Sequence, residues 1–106
     1  MKILLIEDEP LAAKRLQQLI SKLQPESEIC GLAQSNEEFE HLLTTQTEVD
    51  LIFCDIHLAD GHSFHTLRKH RLETPVIFVT AFDQHALEAF DHYCIDYLLK
   101  PIEEVS

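Results

Sequence analysis

The 106-residue sequence has little glycine, little proline and no tryptophan. Two glycines and four prolines exclude a collagen-like chain and argue against a disordered, low-complexity one. Cysteine is scarce as well, because Cys30, Cys54 and Cys94 form an odd and widely spaced set. This pattern argues against a disulfide framework or a zinc site. It indicates reduced thiols of a cytoplasmic protein, packed as small hydrophobic side chains.

Basic residues and long apolar runs are also in short supply. Eight lysines and arginines stand against 19 acidic residues, so the formal net charge is -11. That charge disfavours direct binding to nucleic acid or to an anionic membrane, and it suits cations such as Mg²⁺ and basic protein partners. No apolar run approaches the ~20 residues of a membrane span. Acidic residues directly follow the first short run, which is unlike a signal peptide.

What the chain does contain is a regular alternation of two patterns. Five short apolar runs span residues 2–7, 28–33, 50–55, 75–80 and 95–100. Segments with helical spacing span residues 10–23, 35–46, 62–71 and 84–92. Alternation at this spacing predicts βαβ units, and therefore an α/β fold with a doubly wound, five-stranded parallel sheet. Few residues follow the fifth run, so the helix that would cover it is expected to be largely absent.

Polar residues stand where the predicted strands end, at Glu7-Asp8, Asp55, Thr80-Ala81 and Lys100-Pro101. In an open parallel sheet, ligands bind outside the carboxyl ends of the strands, where strand order reverses. If the first and third strands are neighbours, three carboxylates converge there. Two carboxylates ~5 Å apart repel by roughly 3 kcal/mol, and a divalent cation would reverse that sign. The set therefore indicates phosphoryl transfer, with a carboxylate as the candidate nucleophile.

These four motifs, in this order, resemble the receiver domain of two-component response regulators over essentially the whole chain. The stretch "VTAFDQHALEAFDHYCIDYLLKPI" (79–102) further resembles the LytTR-type (LytR/AlgR-like) subgroup, in which a DNA-binding domain follows the receiver. The resemblance implies a flavodoxin-like fold with strand order 2-1-3-4-5. It also implies that residues 1–106 are one receiver domain, truncated before its last helix, with the DNA-binding effector domain outside this chain.

The resemblance assigns the phosphoacceptor and the metal ligands. Asp55 would accept a phosphoryl group from a sensor histidine kinase. Glu7, Asp8 and Asp55, together with the backbone carbonyl of His57, would bind Mg²⁺. The protein would then be a signalling switch that controls a downstream DNA-binding domain, and not a conventional enzyme.

The same resemblance assigns the groups that bind phosphate and respond to it. Lys100 and Thr80 would assist Asp55 in catalysis and bind phosphoryl oxygens, and the backbone amides of His57 and Ala81 would hold other oxygens. Tyr97 would be the switch aromatic that moves with Thr80.

Two other functions are compatible with parts of the pattern. A Mg²⁺-dependent phosphohydrolase with an aspartyl-phosphate intermediate, of the haloacid-dehalogenase type, needs a second Asp where His57 stands. A flavodoxin-like nucleotide-binding module needs a phosphate-binding loop where the acidic "EDEP" (7–10) stands. Among the histidines, only His62 and His65 have helical spacing for a transition metal, and a solvated helix face is favoured.

The partners expected from the sequence are a sensor kinase and a second copy of the chain. The fifth run is apolar on both faces at Tyr97, Leu98 and Leu99, and an uncovered apolar strand favours a homodimer. DNA would be contacted only through the absent effector domain, and no membrane contact is expected.

Overall fold

A computed structural model describes residues 1–46, 48–70 and 73–81 and the backbone of the strand at 94–99. In chain order the elements are β1 (Lys2–Ile6), α1 (Pro10–Leu23), β2 (Glu28–Ala33), α2 (Asn36–Thr45), β3 (Leu51–Cys54), β4 (His57–Leu58), β5 (Gly61–His62), α3 (Phe64–His70), β6 (Val76–Thr80) and β7 (Cys94–Leu99). The helix predicted at 84–92 lies outside the described residues.

Five of the strands form one parallel sheet in the order β2-β1-β3-β6-β7. Since β6 and β7 are the fourth and fifth predicted strands, the predicted order 2-1-3-4-5 is confirmed. The remaining pair, β4 and β5, forms a separate antiparallel hairpin between β3 and α3. The sequence did not predict this hairpin, because strands of two residues are too short to show a period.

The core lies on both faces of the sheet. Successive residues of β1 point to opposite faces, so Leu4 and Ile6 join one buried cluster while Ile3 and Leu5 join the other. The first cluster also contains Phe39, Ile52, Leu67 and Phe78, from α2, β3, α3 and β6. The second contains Leu16 and Ile20 of α1 and Val79 of β6. Helices therefore cover both faces, as the runs of β1, β3 and β6 predicted.

The first two helices begin where their sequences predict. Pro10 occupies the first turn of α1, where its missing N–H has no partner to lose. Ser35 caps α2, and its hydroxyl accepts a hydrogen bond from the Glu38 amide at 3.1 Å. The Glu38 carboxylate in turn accepts from the Gln34 amide at 2.8 Å.

The third helix is shorter than predicted. The sequence suggested 62–71, whereas α3 spans Phe64–His70, because Gly61 and His62 are taken up by β5. Gly61 has φ +127°, a conformation that side chains with a Cβ rarely adopt. None of the helices in the described part of the chain combines the length and apolarity that a membrane crossing requires.

A second cap on α2 comes from the hairpin. The Asp60 carboxylate accepts hydrogen bonds from the backbone amides of Asn36 at 2.7 Å and Glu37 at 3.2 Å. These amides belong to the first turn of α2, which has no intrahelical partners for them. The two bonds, that from Asn36 above all, hold the pKa of Asp60 below its ordinary value.

We expect Asp60→Ala to lower the free energy of unfolding by about 1 kcal/mol at neutral pH, as loss of a helix cap does. Because the folded-state pKa of Asp60 is lowered, its contribution is complete above the ordinary aspartate pKa of about 3.9 and is lost as the pH falls below it. Urea unfolding at pH 7 and near pH 3 should therefore show the difference shrinking in acid. Glu26→Ala, which removes an exposed carboxylate in a turn, is the control. An equal loss in that variant would contradict the capping role.

Candidate functional site

The candidate site is built by the pairing of β1 with β3. Ile6 and Cys54 are the last paired residues of the two strands. The Asp55 amide continues the ladder by donating to the Ile6 carbonyl at 2.8 Å, and the Glu7 amide donates to the Ala33 carbonyl at 2.8 Å. Glu7 and Asp55 therefore leave neighbouring strands at the same edge of the sheet, as the sequence predicted.

Three carboxylates converge at this edge. Glu7, Asp8 and Asp55 each offer one carboxylate oxygen, and these oxygens lie within 4.8 Å of one another. Glu7 is 3% and Asp55 7% exposed, while Asp8 is exposed. The predicted convergence is confirmed.

The donor set fits a hard divalent cation. All three side chains offer oxygen, the ligand type that Mg²⁺ prefers, and one of them faces solvent, where waters can complete the coordination. No histidine or cysteine takes part in this group, so it has none of the nitrogen and sulfur ligands that zinc favours.

The chain after β1 folds back over the Glu7 side chain. The Glu9 amide donates to Glu7 Oε2 at 3.1 Å, and Pro10 then begins α1. The carboxylate of Glu7 is therefore engaged by the turn that leads into the helix. Asp8, between them, stays open to solvent.

Cys54 lies next to the site without belonging to it. Burial above all, together with the nearby carboxylates of Asp55 and Glu7, raises the pKa of the Cys54 thiol to about 12. The thiol is therefore neutral at physiological pH, and it packs in the core cluster with Ile6 and Phe78. The interpretation of Cys54 as a core residue is confirmed.

The β4–β5 hairpin directly follows Asp55. Ile56 is fully buried, and its carbonyl accepts from the Ser63 amide at 2.8 Å, which closes the loop at its base. His57 pairs with His62 across the hairpin, and their rings meet edge to face with centroids 4.6 Å apart. The His57 side chain is exposed. The metal and phosphate roles of the His57 backbone carbonyl and amide stay predictions.

The remaining predicted residues fall at or beyond the limits of the description. Thr80 is the last residue of β6, with its side chain outside the described part, and Ala81 follows it and is exposed. Tyr97 lies in β7 opposite Phe78, and its side chain is likewise outside the description. Lys100 lies outside the described residues. The roles of these four residues stay predictions.

The helical spacing suggested for His62 and His65 is wrong. His62 belongs to β5 and His65 to α3, because the helix begins at Phe64. Within the described residues, Glu7, Asp8 and Asp55 form the one group of three or more acidic, histidine or cysteine side chains placed to hold a metal ion. A transition-metal site built from the histidines finds no support in this arrangement.

Sequence reasoning missed one side chain near the site. Asn36 is buried and contacts the hairpin and α3, whereas the sequence suggested only that a helix spans residues 35–46. A polar residue directly after the Ser35 cap carries no sequence signal for such contacts, because its partners lie 24 to 30 residues further along the chain.

Comparison with known proteins adds independent evidence. Residues 3–106 match the family model of the response regulator receiver domain. The chain is 38% identical over 108 residues to the sensory transduction protein LytT of Bacillus cereus, covering 98% of this chain and 43% of that protein. It is 38% identical over 104 residues to the transcriptional regulatory protein LytR of Staphylococcus aureus, covering 95% and 42%. The chain thus spans less than half the length of these curated relatives.

A solved structure shows the same fold. The response regulatory domain of protein mrkE from Klebsiella pneumoniae superposes with a TM-score of 0.83 at 31% identity, covering 97% of this chain and 85% of that one. The family model, the LytT and LytR relatives and this fold agree with the three converging carboxylates. The chain belongs to the response regulator receiver domain family, and its relatives place it with the LytT/LytR regulators.

Proposed function

We propose that this chain is the phosphorylatable receiver of a two-component response regulator, with Asp55 as the phosphoacceptor. In the reaction, the phosphorus–nitrogen bond of a kinase phosphohistidine breaks and an Asp55 carboxylate oxygen forms the new bond to phosphorus. The imidazole leaves with the electron pair. The observation that carries the proposal is the convergence of Glu7, Asp8 and Asp55 within 4.8 Å at the carboxyl ends of β1 and β3.

The positions of the three carboxylates suggest a different role for each. Asp55 directly follows the central strand β3, and its amide donates to the Ile6 carbonyl, so its backbone is held at the edge of the sheet. Glu7 and Asp8, which follow the neighbouring strand β1, would bind Mg²⁺ with Asp55 and the His57 carbonyl. When bound, Mg²⁺ would neutralise charge on the phosphoryl oxygens and offset the repulsion among the carboxylates.

The groups on the far side of the site complete the proposal. Thr80 is the last residue of β6, the strand next to β3, and Ala81 follows it, so their backbone reaches the same edge of the sheet. We propose that Thr80, Ala81, His57 and Lys100 bind the phosphoryl oxygens. Thr80 and Lys100 would also assist catalysis, and Tyr97 would respond as the switch aromatic.

Family membership supports a proposal for the partners and the location of the protein. We propose a sensor histidine kinase as the phosphoryl donor and a DNA-binding effector domain, outside residues 1–106, as the recipient of the signal. One relative bears the name transcriptional regulatory protein, which supports that output. We place the protein in the cytoplasm. We propose no separate hydrolase activity, since His57 stands where an aspartyl-phosphate phosphohydrolase needs its second acid.

Phosphorylation is tested with a small acyl phosphate and Mg²⁺, read by intact mass. The protein should gain one phosphoryl group, and Asp55→Asn should abolish the gain because it removes the nucleophile. Asp50→Asn is the matched control, since Asp50 lies at the opposite end of β3 and accepts from the Lys2 amide. Absence of any gain in the wild type, or an unchanged gain in Asp55→Asn, would refute the proposal.

If Asp8 binds Mg²⁺, Asp8→Asn should change the stability of the protein in opposite directions with and without the cation. Without the cation, the variant should be more stable than wild type by up to about 1 kcal/mol, because repulsion at a partly solvated site is relieved. With Mg²⁺ the order should reverse, since a ligand stabilises the form that binds it. Thermal unfolding at constant ionic strength measures both, again with Asp50→Asn as control. Equal Mg²⁺ stabilisation of variant and wild type would exclude Asp8 as a ligand.

Self-association is a further part of the proposal. β7 is an edge strand of the described sheet, and its sequence is apolar at Tyr97, Leu98 and Leu99. An edge with this composition favours pairing with a second copy. Sedimentation velocity over a range of concentrations should show a dimer, and a single monomeric species at the highest concentration would count against it.

A further inference from the structure

Asn36 is a buried polar side chain with an unusually full set of partners. It is 8% exposed and stands at the first position of α2. Its amide nitrogen donates to Asp60 Oδ1 at 3.2 Å, to the Gly61 carbonyl at 3.3 Å and to the His62 carbonyl at 3.2 Å. Its oxygen accepts from the Thr66 hydroxyl at 2.7 Å. An amide NH₂ has two hydrogens, so the three acceptors share them.

The hairpin that Asn36 contacts has little to hold it in place by itself. β4 and β5 have two residues each, and an isolated hairpin even of ordinary length is marginal in water. At its base it is closed by the bond from the Ser63 amide to the Ile56 carbonyl. Further out, Leu58 packs into the core cluster and the Ala59 amide donates to the Gln34 carbonyl at 3.4 Å. The side-chain contacts of the hairpin with the start of α2 run through Asn36 and through the Asp60 carboxylate on the α2 amides.

Two of these contacts reach the strand opposite His57. Asn36 binds the carbonyls of Gly61 and His62, and His62 is the residue paired with His57 in the hairpin. A displacement of β5 would therefore move the backbone of His57, two residues after Asp55. We infer that Asn36 is a positioning residue for the metal and phosphoryl site, which it serves by fixing the β4–β5 hairpin.

This inference rests on the proposed function, and it adds to the site a residue that touches none of the reacting atoms. The two ends of the Asn36 side chain have separate tasks. The nitrogen end holds the hairpin, and the oxygen end accepts from Thr66, a fully buried residue of α3. Loss of the first should disturb the site, and loss of the second should disturb only the packing of α2 against α3.

Two near-isosteric variants test whether the nitrogen and oxygen ends of the Asn36 side chain have these separate tasks. Asn36→Asp keeps an oxygen for Thr66 and loses the side-chain donors to Asp60, Gly61 and His62. Thr66→Val keeps the shape of its side chain and removes only the bond to the Asn36 oxygen. Both variants should be less stable than wild type, so stability alone does not distinguish them.

The distinguishing measurement is the Mg²⁺ concentration that gives half the maximal rate of phosphorylation by a small acyl phosphate, at a temperature where both variants are folded. We expect this concentration to rise about tenfold in Asn36→Asp, the size typical of losing a residue that orients metal ligands. It should stay within about twofold of wild type in Thr66→Val. Since an added negative charge alone would strengthen Mg²⁺ binding, weaker binding in Asn36→Asp reports altered geometry.

Failure of the positioning role and failure of the receiver function would give different results in this experiment. If wild type is phosphorylated and the two variants have equal Mg²⁺ requirements, the positioning role is refuted and the receiver function stands. If wild type takes up no phosphoryl group, the receiver function and the positioning role are both refuted. Should Asn36→Asp fail to fold, Asn36→Ser replaces it, because the shorter side chain also gives up the carbonyls of Gly61 and His62. An unaltered Mg²⁺ requirement in that variant would equally overturn the inference.

Discussion

The parallel pairing of β1 with β3 is the interaction on which the site depends. Its register sets Ile6 opposite Cys54, and the bond from the Asp55 amide to the Ile6 carbonyl carries the ladder one residue further. Glu7 and Asp55 consequently leave the sheet side by side. Both faces of β1 are buried, in different clusters, so a slip of one residue would exchange the side chains that belong to each face. The core thus specifies the register, and the register places the acids.

The acids themselves oppose folding. Glu7 and Asp55 are almost fully buried within reach of Asp8, and like charges at such distances repel. A protein shaped by stability alone would favour a neutral or paired set at this edge. The arrangement persists because the strands that carry it are anchored by large apolar clusters on both faces, and its chemistry becomes favourable when a cation is shared. The neutral thiol of Cys54, directly below, shows how apolar the surroundings become one residue into the sheet.

The fold and the acidic cluster could be predicted because both leave local or periodic signals. Apolar runs of strand length alternate with helical spacing, and acids stand at the strand ends. The β4–β5 hairpin could not be predicted, since two-residue strands have no period and His62 was assigned to a helix instead. For the same reason α3 begins two residues later than expected.

The sequence by itself determined the alternation of strands and helices, the identity of the three carboxylates and the Ser35 cap of α2, because periodicity and capping act between residues close along the chain. The order of the strands in the sheet was implied by the family resemblance and not by these local patterns. Only the tertiary structure decided that Glu7 is buried while its neighbour Asp8 is exposed. It also decided that Asp60 supplies the second cap of α2 and that Asn36 joins that helix to the hairpin. Those contacts span 23 residues or more, and they form only once α2 and α3 pack on the same face of the sheet.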